Sequence, residues 1–207
     1  MITMQTNQII SSPDQPTSIF LAQTRETLID TEIYSRFIYS CENNFRRSRF
    51  YKAYKCNVMN CIGNRDAMMA SINSDMADIE LHHHFPELKH AAIMICEHTL
   101  NTKGCVTTFE IVKELEEAHR NNMMAVILLS ATQHQAYHAD PSAFISLAQC
   151  YGDPFKFIDK YLDGMTLDIA FKMLLQLKQE EVYNKKSFSA NMVKARDQIK
   201  DFSGLVV

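Results

Sequence analysis

Between Ile79 and Phe85 the chain alternates: Ile79 and Leu81 are apolar, while Asp78, Glu80 and His82 are polar. A two-residue period marks a strand with one buried face. Pro86 carries no backbone N–H and should end it. A second apolar run, Met123 to Leu129, is short, partly β-branched and bounded by Asn121-Asn122, which predicts a buried strand. Ser130-Ala-Thr-Gln133 follows as a capping-box pattern, so a helix should start at once and run to about Ala139, ahead of Asp140-Pro141.

Most of the remaining periodicity is helical. Ile29, Ile33, Phe37 and Cys41 recur every four residues and predict an amphipathic helix over about 24–41. Residues 87–100 predict a helix stopped near Gly104. Thr107 and Glu110 form another capping box before Ile111, Val112, Leu115 and Ala118. Further helices are expected over 155–162, over 166–183 with Leu167, Ala170, Phe171, Leu174 and Leu177 inward, and over 189–202 with Met192, Ala195, Ile199 and Phe202 inward. Residues 1–16 read as a flexible arm, and 57–74 combine a Gly63-Asn64 turn with a short helix containing Met68, Met69 and Ile72. Phe144 to Leu147 should form a short ordered segment before a turn at Gly152-Asp153-Pro154.

The pattern therefore predicts an α+β, predominantly helical protein. An antiparallel ribbon (about 78–84 with 123–129) should pack on the helix 131–139. Three regions are expected: 1–77, an arm and helices; 78–162, the ribbon core with a helical insertion; and 163–207, C-terminal helices. Scarce glycine and proline, 5 of each in 207 residues, argue against an all-β sandwich. A net charge of −3 gives no global attraction to nucleic acid, so such binding needs a local patch. One exists: Arg46, Arg47, Arg49, Lys52 and Lys55 interleave with Phe50, Tyr51 and Tyr54. It reads either as a solvated face with its aromatics turned inward or as a phosphate-contacting surface. No segment has the length for a membrane span or the form of a secretory signal, so a cytoplasmic setting is expected. The six cysteines read as reduced thiols rather than a zinc site.

The candidate chemistry lies in histidine. His82, His83 and His84 end the first strand, and His134 and His138 share one face of the helix after the second. If the two places meet, three neutral imidazoles can hold one divalent ion and one imidazole is left over, the inventory of a metal-assisted hydrolase. Strand parity leaves a choice: on a regular strand His82 and His84 share a face, whereas an irregular end lets His82 and His83 reach the same cleft. His90, His98 and His119 fall on predicted helices without evident partners and read as surface or boundary residues.

On these residues the sequence resembles the HNH, or ββα-metal, endonucleases, in particular a phage-type subset. His82-His83 followed by Pro86 matches the family's first strand end. Leu129-Ser130-X-Thr132-X-His134-X3-His138 matches its second strand and helix, and Phe144 to Tyr161 the tail of the subset. The resemblance covers roughly 78–162. Two departures stand out: His134 occupies a place often held by asparagine, and the connection between the strands is long. The resemblance implies that His82, His134 and His138 ligate one divalent ion (Mg, Mn, Zn or Ni). It further implies that His83 is the general base, that DNA phosphodiester bonds are hydrolysed, and that Arg46–Lys55 hold the DNA backbone. A non-catalytic protein keeping the module as a metal-stapled scaffold, or a metallohydrolase for another phosphate ester, are the alternatives.

Overall fold

A computed structural model of the chain describes residues 22–62, 79–140, 143–186 and 188–205. The expected arm at 1–16, the Gly63-Asn64 turn and the helix around Met68 to Ile72 lie outside them. Within them the protein is predominantly helical, with two small antiparallel sheets. In chain order the elements are β1 (Gln23–Thr24), α1 (Thr31–Arg47), α2 (Arg49–Ile62), β2 (Ile79–Phe85), α3 (Leu88–Lys103), β3 (Cys105–Val106) and α4 (Thr108–Arg120). There follow β4 (Ala125–Ser130), α5 (Ala131–Ala139), α6 (Phe155–Tyr161), α7 (Leu167–Tyr183) and α8 (Ala190–Ser203).

β2 and β4 pair antiparallel, with Leu81 opposite Leu128, His82 opposite Ile127 and His83 opposite Val126. The alternation then sorts side chains between two layers. Ile79, Leu81, Phe85, Val126 and Leu128 enter the main core with residues of α1, α3 and α4. Ile127 and Leu129 face the other way and form a small cluster with Ile145 and Tyr137, a residue of α5. The ribbon is thus the middle layer, helices covering one face and α5 the other. A register shift between His83 and Phe85 leaves His84 without a cross-strand partner.

The helix boundaries follow their caps. Asp30 accepts from the amides of Glu32 and Ile33 and opens α1, later than the expected start near residue 24. The buried face of α1 is Ile38, Cys41 and Phe45, whereas Ile29 and Ile33 are exposed. A strict four-residue spacing turns about 40° further each step around a helix of 3.6 residues per turn, so it does not stay on one face. Both expected capping boxes are formed, Thr107 with Glu110 and Ser130 with Gln133, and Gly104 closes α3 in the left-handed region. On α7, Leu167 and Phe171 are exposed instead of inward, and the buried stripe is Ile169, Ala170, Met173, Leu174 and Leu177. Phe202 on α8 is likewise exposed, while Met192, Ala195 and Ile199 are buried as expected.

The C-terminal helices lock the segment after α5. The buried carboxylate of Glu180 on α7 accepts hydrogen bonds from the Ser146 hydroxyl and the Leu147 amide. Asn184 donates to Ser146 at 2.6 Å. Tyr151 exchanges backbone hydrogen bonds with Val126, and Gly152 next to it packs against β4's leading turn.

Gly152 has φ +105°, and a Cβ there would stand 2.1 Å from the Met124 carbonyl oxygen. Gly104, at φ +77°, faces open space. Gly152→Ala should therefore lose about 2–4 kcal/mol in chemical denaturation, from backbone strain plus collision. Gly104→Ala should lose about 1 kcal/mol. Equal losses at the two sites would contradict the close packing assigned to Gly152.

Candidate metal centre

The side chains of β2 divide between the two faces of the ribbon. Glu80, His82 and His84 point toward α5; His83 points into the core layer. Ser130 caps α5 directly after β4, with no intervening loop, so the first two turns of that helix sit over the ribbon. His134 and His138, one turn apart, then face His82.

One ring nitrogen from each of His82, His134 and His138 lies within 4.8 Å of the other two. His82 Nδ1 is 3.0 Å from His134 Nε2, and His138 Nε2 is 3.0 Å from the same atom. Glu80 fixes the proton on His134: its carboxylate accepts from Nδ1–H, which leaves Nε2 of a neutral ring as a lone pair. That lone pair is the common focus of the other two rings. A carboxylate behind a histidine is also the arrangement that orients a metal-ligating imidazole and raises its basicity.

These residues fit a divalent ion. Tetrahedral coordination at about 2.0–2.1 Å places ligand nitrogens roughly 3.3 Å apart, close to the 3.0 Å that separates His134 Nε2 from His82 Nδ1 and from His138 Nε2. His82 turns Nδ1 to the trio, so a neutral ring ligating there carries its proton on Nε2, which is buried without a hydrogen-bond partner among the described residues. Burial, reinforced by His84, His134, His138 and Arg46, lowers the pKa of His82 to about 3, so its ring is held neutral, the form that ligates a metal.

The trio lines a cleft of about 130 Å³. Glu42 and Arg46 from α1, His83 from β2, and Glu87, Leu88 and Lys89 at the start of α3 complete its wall. Glu87 makes no side-chain cap on α3, so among the described residues the first amides of that helix have no side-chain cap at the cleft rim.

The other expected site residues are placed as follows. His83 is not gathered with the trio; it lines the cleft but is 4% exposed, and its Nε2 lies 2.8 Å from Nε2 of His119. His84 shares the α5 face with His82, as regular parity requires, yet it lies outside the trio, 3.5 Å from the Tyr137 hydroxyl. Arg46, Arg47, Arg49 and Lys52 are exposed and Lys55 is half-buried. None of the five forms an ion pair among the described residues. The aromatics among them turn inward, Phe50 and Tyr51 around Phe45, and Tyr54 against His119. A break at Ser48 divides the run between α1 and α2.

Two residues with roles here were not singled out from the sequence. Glu80 was legible as the polar half of a strand alternation and as the first letter of the Glu80-Leu81-His82-His83 stretch that resembles the phage-type subset, with no role of its own. His119 was expected at a surface or boundary, but it is fully buried; the apolar side of α4, Ile111, Leu115 and Ala118, includes position 119 by helical spacing. His90 is also buried, not a surface residue, and His98 is half-buried with Nδ1 2.7 Å from Asp163.

Fold and site define a predominantly helical α+β protein with a three-histidine group able to hold a metal. The chain belongs to the bacteriophage G278-like virion protein family, whose profile matches residues 7–202. No curated protein and no solved structure matches it.

If Glu80 orients His134, Glu80→Ala should weaken binding of zinc or manganese by about 10- to 100-fold in calorimetric titration. Glu80 is exposed at the ribbon's surface, so the fold should survive. Unchanged affinity with an intact fold would remove Glu80 from the site.

Proposed function

We propose that this virion-family protein is a metal-dependent endonuclease of the HNH type, its ββα-metal module formed by β2, β4 and α5 and its substrate DNA. The observation that carries the reading is the convergence of His82, His134 and His138 beside a cleft that His83 also lines. A divalent ion held by His82, His134 and His138 would supply positive charge to the scissile phosphate and the leaving 3′ oxygen.

The chain's own residues supply the rest. His82, His134 and His138 present one ring nitrogen each, and Glu80 holds His134 in register. Arg46, Lys89 and the uncapped start of α3 offer positive charge and amide donors to phosphate oxygens at the rim. His83 accepts the proton of the attacking water as the phosphodiester is displaced in line. Arg47, Arg49, Lys52 and Lys55 extend the cationic surface along α1 and α2, where they contact flanking phosphates without reading sequence.

A second reading, a metal-stapled structural module of the virion, is favoured by one observation: His83 is almost fully buried with its Nε2 committed to His119. The two readings separate in a plasmid assay with magnesium, manganese, nickel or zinc. The endonuclease reading expects cleavage by the wild type, loss of both metal and cleavage in His138→Ala, and metal retained with cleavage reduced about 10²- to 10⁴-fold in His83→Asn. It also expects neutralisation of Arg46, Arg47 and Arg49 to flatten the salt dependence of DNA binding by roughly one logarithmic unit per lost contact. Metal binding by the wild type without cleavage of double- or single-stranded DNA would establish the structural reading instead.

A further inference from the structure

His83 ends against a second buried histidine, and the hydrogen bonds between them have a fixed direction. His119, on α4, is wholly buried. Its Nδ1 lies 2.6 Å from the Leu115 carbonyl oxygen, one turn back on the same helix. A carbonyl only accepts, so Nδ1 carries the proton. Nε2 of a neutral His119 is then a lone pair, and it faces Nε2 of His83 at 2.8 Å. His83 must donate, so its proton sits on Nε2 and its lone pair on Nδ1.

The surroundings keep both rings in place and His119 neutral. Burial lowers the pKa of His119 to about 4, against a weaker opposing effect of its bond to Leu115. Phe45 and Tyr54 pack against the His119 ring at centroid distances of 4.7 and 4.9 Å. Tyr51 stacks on His83 at 6.1 Å and 19°. In so dry a layer an unmet N–H is costly, and the relay from Leu115 through His119 to His83 meets every proton it contains.

We infer that His119 is a positioning residue: it holds His83 in the tautomer whose Nδ1 is the proton acceptor and anchors the ring at the wall of the cleft. This rests on the endonuclease reading for its consequence, but the tautomer and the hydrogen bond can be observed without any activity. The insertion between the strands thereby gains a task, because α4 lies within it and brings His119 behind the ribbon.

The test uses the full chain labelled with ¹⁵N in histidine. Long-range ¹H–¹⁵N spectra should show His119 protonated at Nδ1 and His83 at Nε2, with a scalar coupling between the two Nε2 atoms through the N–H···N bond. His119 protonated at Nε2, or no coupling between the rings, would overturn the inference. The second arm reads turnover. His119→Gln, whose side-chain oxygen can still accept from His83, should keep most of the wild-type kcat. His119→Leu should lower kcat at least about 10-fold, within the roughly 10²- to 10⁴-fold that a general base contributes, and leave KM and bound metal unchanged. A folded His119→Leu protein with wild-type kcat would also overturn it. A protein with no cleavage at all fails the endonuclease reading, and the spectra still decide the role of His119.

Discussion

The antiparallel pairing of β2 with β4 is the constraint on which the rest depends. Because side chains alternate along a strand, opposing His82 to Ile127 and His83 to Val126 sends the two adjacent imidazoles to opposite layers. His82 meets α5 and the candidate metal centre; His83 meets α1, α2 and α4. A slip of one residue would exchange them, and would also drive Glu80 into the core and expose Leu81. The same apolar alternation that buries Ile79 and Leu81 therefore selects which histidine faces α5.

Each layer then stabilises what it receives. On the α5 side, Glu80 fixes the proton of His134, and the rings of His82 and His138 converge on its free nitrogen, an arrangement suited to a cation. On the core side, Tyr51 and Tyr54 of the basic run, with Phe45 just ahead of it, enclose the His83–His119 pair, while Arg46, Arg47, Arg49 and Lys52 stay exposed. The run thus folds as a solvated face with its aromatics turned inward, since helical geometry separates the two sets of side chains.

Much of this was legible in the sequence because it is local. Capping boxes at Thr107 and Ser130 fixed two helix starts to the residue, and the His134–His138 spacing put two ligand candidates on one face. Long-range geometry was less accessible. Parity alone could not decide among His82, His83 and His84, since a register shift can be placed anywhere near a strand end; it falls at His84. Nothing near His119 in the sequence names its partner, which lies 36 residues away, so a polar residue on an amphipathic helix read as exposed. The outward Leu167 and Phe171 misled in the opposite direction, as apolar residues not turned to the core.

Whether His82, His134 and His138 form one ion site is tested directly by anomalous diffraction from crystals grown with zinc or manganese. A single strong peak bonded to one nitrogen of each ring, at about 2.0–2.2 Å, is the predicted result. Three imidazoles hydrogen-bonded to one another, with no anomalous peak among them or with the ion bound elsewhere, would contradict it.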